Sequence, residues 1–314
     1  MAESVRRIGT RAAGLDVMLA SWVLALQAEN KSAHTIRSYS DTVRALIRHA
    51  GQQANTDITT EVIRGFLAAE LGRIAPASVA VHYRNLRVFF GWLAAEEPSL
   101  MPASPMARVS KPTVPAKHKP PFSETEIRAL LDTAKGPAAE DRRDTAIIRV
   151  LIDTGMRISG LAGLRLRYTE HGEERTDVHL GQKQLGITLK GGAVTAVPIG
   201  RKTVAAIDRY LRARPLHPHA DLSWLWLGPK GQLTSWGIRQ MLSRRGEQAG
   251  VTGVYPHRFR RTFAHDWLEQ GGQESDLMKI TGWSTRDMIE VYAGELAGER
   301  ARSAHARLSP GDRF

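Results

Sequence analysis

Leu185-Gly-Ile-Thr-Leu-Lys-Gly-Gly-Ala-Val-Thr-Ala-Val-Pro-Ile199 is the stretch that decides the architecture of this chain. Leu185, Ile187 and Leu189 alternate with small or polar residues, Gly191-Gly192 supplies a turn, and Val194, Thr195 and Val197 resume, which predicts a β-hairpin. Helical periodicity lies on both sides of it. Downstream, apolar stripes run through Val204–Leu211, Ile238–Met241, Phe259–Leu268 and Met288–Val291. Upstream, Thr145 to Ile152 is strongly apolar and Gly155 breaks it, while Ser123-Glu-Thr-Glu126 has the S-x-x-E pattern of a capping box. A hairpin set among helices gives a mainly α domain of α+β type with a small antiparallel sheet, over residues 122–314.

The first hundred residues carry helical stripes alone. Leu15, Met18, Leu19, Trp22, Val23 and Leu26 form one; Ile36, Tyr39, Val43, Leu46 and Ile47 follow Ser32 and stop at Gly51. Val62, Ile63, Phe66 and Leu67 form a third, and Val79, Tyr83, Leu86, Phe90 and Leu93 a fourth, with Ser78 read as its N-cap. Residues 1–106 therefore read as a bundle of four to five helices. Seven of the chain's 15 prolines lie between Pro98 and Pro121, with Lys111, Lys117 and Lys119 among them. Proline fixes φ and lacks a donor, so residues 107–121 read as an extended basic linker.

The net charge is +12 over 314 residues, with pI near 10.3. Residues 1–118 hold 14 Lys and Arg against 9 Asp and Glu, and residues 119–314 hold 30 against 23. Both parts are basic, as expected if both touch one polyanion, and nucleic acid is the partner that charge nominates. Zero cysteines exclude disulfides, thiolate metal sites and cysteine nucleophiles. No apolar run reaches membrane-spanning length, and Arg6, Arg7 and Arg11 are not followed by a signal-peptide core. The expected setting is the cytoplasm, at a bacterial nucleoid, with no membrane partner.

Four segments in the second domain resemble one family in order and spacing. Thr154-Gly-Met-Arg-Ile-Ser159, Lys190-Gly-Gly-Ala-Val-Thr-Ala-Val-Pro-Ile199, Pro256-His-Arg-Phe-Arg260 and Gly282-Trp-Ser-Thr-Arg-Asp-Met-Ile-Glu-Val-Tyr292 are similar to the boxes of the tyrosine recombinase, or phage integrase, family. Ser32-x-x-Thr35-Ile36-x-x-Tyr39 and Leu86-Arg-Val-Phe-Phe-Gly-Trp92 resemble the helices of its core-binding domain. The likeness runs from about Leu15 to Tyr292, to a two-domain, Xer-like member. It implies a DNA breaking-rejoining fold, a core-binding bundle followed by a catalytic domain with a C-terminal tail.

The resemblance assigns Arg157, Lys190, His257, Arg260, Trp283 and Tyr292 as catalytic. Cutting a phosphodiester requires stabilising a pentavalent, highly negative transition state. Fixed guanidinium forks do so by donating to phosphate oxygens, and Arg157 and Arg260 are the candidates. Tyr292 would attack phosphorus and hold the DNA by a 3′-phosphotyrosyl bond. His257 would take or share its proton, Lys190 would protonate the departing 5′ oxygen, and Trp283 would offer its indole N–H to a phosphate oxygen. No cofactor and no metal are implied. The implied partners are double-stranded DNA with specific recombination sites and three further copies in a tetramer, with the tail after Tyr292 reaching a neighbour. A DNA-bending accessory protein or a partner recombinase is a further possible participant. The task would be integrating, excising or resolving DNA.

Three positions depart from the commonest pattern. Gly160 stands where a carboxylate usually buttresses the first arginine, and Asp153 and Glu140 are the candidate substitutes. Arg261 follows Arg260 where His is frequent, and offers an added phosphate contact. Trp283 replaces a commoner His. Two rival readings share the residues: a type IB topoisomerase-like relaxing enzyme, and a catalytically weakened DNA-binding member. A metal site built on His217, His219 and His257 has no supporting spacing.

Overall fold

The computed structural model describes residues 14–51, 58–114, 120–188, 194–294 and 297–314. The chain divides into two units, Met1–Lys117 and His118–Phe314.

The first unit is helical: α1 (Leu15–Ala28), α2 (Ala33–Ala50), α3 (Thr60–Leu71) and α4 (Pro76–Glu96). Ser32 and Thr59 cap α2 and α3 by accepting from the backbone N–H groups of Thr35 and Val62. Helix α4 starts two residues before the expected cap at Ser78. Pro76 takes its first position, where a missing N–H costs nothing, and Ala75 is the N-cap. The apolar stripes meet in one core, with Trp22 stacked on Tyr39 at 5.1 Å and packed on Phe89. One polar pin crosses it: the Asn85 amide donates to Ser38 O and Thr42 Oγ1, joining α4 to α2. The chain stays against this bundle as far as Val109, whose carbonyl accepts from the Tyr83 hydroxyl.

The second unit opens with α5 (Glu124–Asp132), whose Ser123–Glu126 capping box forms in both directions. Then come α6 (Ala139–Thr154), ended by Gly155 at φ 55°, and the short α7 (Ile158–Ala162). Strands β1 (Tyr168–Glu170) and β2 (Glu173–Arg175) form an exposed hairpin absent from the sequence reading. Four of its six strand residues are charged, so no apolar alternation marks it. The one local signal is His171-Gly172, both at positive φ, the backbone of a type I′ turn. The expected hairpin is present as β4 (Gln184–Thr188) and β5 (Val194–Pro198), widened by β3 (Val178–His179) into a three-stranded antiparallel sheet. Leu185 pairs with Val197 and Ile187 with Thr195, and both Leu185 and Val197 point into the core. The turn between the strands, with Lys190, lies outside the described residues.

After the sheet follow α8 (Arg201–Ala213), the minimal hairpin β6 (Leu227–Gly228) and β7 (Gly231–Gln232), and α9 (Ser235–Gln248). The unit closes with α10 (Pro256–Glu269), α11 (Glu274–Thr281), α12 (Asp287–Ala293) and α13 (Ala297–Leu308). Helix α6 is the central packing element, lying against α8 and α10. Two apolar clusters result, a large one around Ile147, Leu151, Trp226 and Phe259, and a smaller one of Phe263, Leu277, Trp283 and Ile289 under the C-terminal helices.

A buried ionic knot fastens α6 to α9. Asp144, fully buried, accepts from Arg143 on one oxygen and from Arg245 on the other, and Arg143 also donates to Leu227 O. Removing the carboxylate would leave the buried Arg143 without a counter-charge and Arg245 with Asp141 alone, so Asp144→Ala should cost about 3–5 kcal/mol. Urea denaturation of the two proteins measures this, and a loss below 1 kcal/mol would show that the knot does not hold these helices together.

Candidate active site

Helix α10 presents two of the expected residues from its first turn. Pro256 sets its start, so His257 falls at the helix mouth and Arg260 lies three residues on, on the same side. Arg260 is 2% exposed, and its two Nη groups donate to Gly155 O and Thr281 O, each at 2.8 Å. These carbonyls stand at the C-terminal ends of α6 and α11, where unsatisfied acceptors and the helix dipole both favour a cation. Burial first, and then the nearby charge of Arg157, bring the Arg260 pKa down to about 10, while Tyr292 acts in the other direction. The group therefore stays charged at neutral pH.

Tyr292 lies on α12, one residue from its end. Its Oη is 3.1 Å from His257 Nδ1, hydrogen-bond distance. The phenol ring stacks on Trp283 with centroids 5.1 Å apart and planes 19° apart. The Arg260 guanidinium carbon is 5.0 Å from the Trp283 ring centre and 5.6 Å from that of Tyr292. Trp283 follows Gly282, the left-handed cap of α11, and its indole Nε1 is buried with no hydrogen-bond partner. A buried donor left unmatched costs about 1–3 kcal/mol, so this atom marks a place where an acceptor belongs.

Arg157 is the N-cap residue of α7, exposed, with no acidic partner among the described residues. Its charge acts on both His257 and Arg260. Five of the six expected residues are thus in one electrostatic neighbourhood, and four of them touch. The sixth, Lys190, lies outside the described residues.

His257 is held below the usual histidine range, by burial first and then by Arg260, Arg239 and Arg157. Arg239, exposed on α9, was not anticipated. An arginine on the solvent side of an amphipathic helix has no feature in sequence to distinguish it from its neighbours.

A Cβ on Gly160 would meet nothing within 4 Å, so this position is open space. Neither candidate substitute fills the role. Asp153 Oδ2 accepts from Gly200 N at 2.6 Å, and Glu140 sits on the first turn of α6, about 20 Å of helix away from Gly155. No side chain among the described residues takes that place beside Arg157, whereas Arg260, the second arginine, is oriented by backbone carbonyls. Arg261 is not aimed at solvent as a phosphate contact would be: it is buried and donates to Val291 O, fastening α10 to the helix of Tyr292. His217 and His219 neighbour one another with ring centres 5.7 Å apart, whereas His257 is engaged with Tyr292. Among the described residues, the group with metal-ligand geometry is His265, Asp266 and Glu269, two turns along α10, where His265 and Glu269 already pair at 3.4 Å.

A helical bundle followed by this α+β unit, with a tyrosine, a histidine and a buried arginine around one unmatched donor, defines a tyrosine-type DNA strand transferase. The chain belongs to the phage integrase family: the family's model matches residues 121–298, and the family's N-terminal SAM-like domain matches residues 19–97. It is a site-specific DNA recombinase, an enzyme that cuts and rejoins DNA strands. It is 28% identical over 289 residues to the tyrosine recombinase XerC of Ralstonia pickettii (strain 12J), covering 87% of this chain and 88% of that one. Among solved structures, the Tn1549 transposon integrase in complex with transposon right end DNA superposes with a TM-score of 0.74 at 16% identity, over 95% of this chain and 100% of that one. A lambda integrase tetramer bound to a Holliday junction gives 0.71 at 15% identity, over 90% and 78%. No helix among the described residues is long and apolar enough to cross a membrane.

Gly155 tests how the arginine is held. It adopts φ 55°, and a Cβ there would come within 2.8 Å of the Phe263 ring. Gly155→Ala should lower stability by about 1–3 kcal/mol and displace the carbonyl that anchors Arg260. Strand cleavage should fall more than stability alone explains, at a temperature where both proteins are folded; unchanged cleavage would show that this carbonyl does not position the arginine.

Proposed function

We propose that Tyr292 is the nucleophile of a strand exchange that proceeds through a 3′-phosphotyrosyl intermediate. The observation that carries this reading is the convergence of the Tyr292 hydroxyl, His257 Nδ1, the buried Arg260 fork and the unmatched Trp283 Nε1. A phenol is a weak nucleophile at neutral pH until its proton has somewhere to go. Neutral His257 accepts it at Nδ1, and its other ring nitrogen then carries a proton that can be donated to a phosphate oxygen. Arg157 and Arg260 take the charge that builds on the non-bridging oxygens, and the Trp283 indole N–H meets one of them. The bond from phosphorus to the 5′ oxygen breaks as that oxygen receives a proton from Lys190. A 5′ hydroxyl of a second strand reverses the step and joins the new partner, with no net change in the number of phosphoester bonds.

The substrate is double-stranded DNA carrying specific sites, bound by four copies of the chain. None of the residues of α13 is buried and Leu308 is exposed on it, which suits a segment that docks on a neighbouring copy. The setting is the bacterial cytoplasm, at the nucleoid.

Incubation with fragmented genomic DNA followed by SDS should leave a protein–DNA adduct, joined through the 3′ phosphate and absent in Tyr292→Phe. An adduct that persists in that variant would sink the assignment, and absence of any adduct in the wild type would favour a DNA-binding member without cleavage. Arg157→Ala and Arg260→Ala should each slow cleavage about 10²–10³-fold with DNA affinity little changed.

The pH profile follows from the burial of His257 and the field on it. Its pKa is lowered, so the neutral, proton-accepting form persists below the usual histidine range as pH falls, and the acid limb of the cleavage rate lies there. Arg239→Gln removes one of the charges that depress it and should shift that limb to higher pH. A limb that does not move would dissociate Arg239 from the site.

A further inference from the structure

The second unit carries a recess of about 250 Å³ between α5, α6 and α8, lined by none of the candidate catalytic residues. Five cationic side chains line it and no Asp or Glu does. Lys135 is paired with Asp132. The other four, Arg142 and Arg149 on α6 and Lys202 and Arg209 on α8, form no ion pair or side-chain hydrogen bond among the described residues. Several other cations of this unit are matched: Arg143 and Arg245 by Asp144, Arg258 by Glu126, Arg212 by Asp208. Like charges gathered around one concavity repel, and the field between them is focused by the low-dielectric walls.

Their arrangement is regular. Asp153, at the end of α6, bonds the backbone N–H of Gly200, just before α8 begins, so the two packed helices run in opposite directions. Arg149 therefore lies at the same end of the recess as Lys202, and Arg142 at the same end as Arg209. On each helix the two cations are seven residues apart, two turns, or about 10.5 Å. Between the two pairs the floor is neutral, made by Leu131, Ala134 and Ala206.

We propose that this recess is a binding site for a small anion with at least two phosphoryl groups, such as a nucleoside polyphosphate or a comparable polyphosphorylated metabolite. One phosphoryl group is met by Arg149 and Lys202, another by Arg142 and Arg209, and the neutral floor accommodates the body between them. Guanidinium forks favour phosphate oxygens by bidentate donation. The volume suits a molecule of this size and is too small to seat a duplex.

Calorimetry with inorganic tripolyphosphate tests the proposal. The wild type should bind one equivalent saturably, at least tenfold more tightly than orthophosphate at equal ionic strength. Arg149→Gln/Lys202→Gln should weaken this at least tenfold. A charge-matched control, Lys183→Gln/Lys230→Gln on exposed positions elsewhere, should change it less than twofold. Loss of repulsion should leave the Tm of the first double variant, without anion, at or above that of Arg149→Gln alone, which separates loss of the site from loss of the fold. Equal weakening in both double variants, or no saturable binding, would overturn the proposal by reducing the effect to net charge. So would an equal loss of affinity for a non-specific duplex in Arg149→Gln/Lys202→Gln, which would assign the recess to the DNA track.

Discussion

The second unit is organised around a buried cation, Arg260, that pairs with no carboxylate among the described residues. Arg260 is anchored by the carbonyls of Gly155 and Thr281, the negative ends of α6 and α11. Partial charges from two helix ends are enough to keep a guanidinium buried yet weak enough to leave its charge unspent. This arrangement requires that both helices stop where they do. Each stops at a left-handed glycine, Gly155 and Gly282, and the residue following the second is Trp283. The geometry of the tyrosine's surroundings is thus a consequence of two helix terminations.

Arg258 and Arg260, two residues apart on α10, show how differently the same side chain can be used. Arg258 donates to both oxygens of Glu126, lies over the Phe122 ring and bonds Pro120 O, so its charge is matched and it serves packing. Arg260 faces the opposite requirement. A site that must receive a phosphate gains from charge that is fixed in place and unmatched beforehand, since no counter-ion has then to be displaced. Burial first, and then the same unmatched field from Arg260, Arg239 and Arg157, lowers the pKa of His257, so charge placed for phosphate also acts on the protonation of the neighbouring base. The cost falls on stability, and the Asp144 knot, nearer the other end of α6, is among the contacts that offset it.

The sequence by itself determined the helices, the central hairpin and the set of residues brought together. Stripes at three-to-four spacing and an alternating hairpin reflect which faces must leave water, and that is a local property of the chain. Ordered boxes made His257, Arg260, Trp283 and Tyr292 legible as a group, although 35 residues separate the first from the last. What sequence missed had little or no apolar signature. The β1–β2 hairpin is charged on both faces, Arg239 looks like any solvated arginine, and α4 starts by proline chemistry where a serine looked the better cap.

Tertiary structure alone decided what each polar group is bonded to. Asp153 reads as a possible buttress of Arg157 and is spent on the backbone of Gly200; Arg261 reads as a phosphate contact and is buried against Val291; Gly160 leaves open space, and the arginine that carbonyls orient is Arg260. The reason is physical. Burial of apolar faces follows from spacing along one helix, whereas a hydrogen bond depends on direction and on a distance near 3 Å between groups on different helices, which no periodicity encodes.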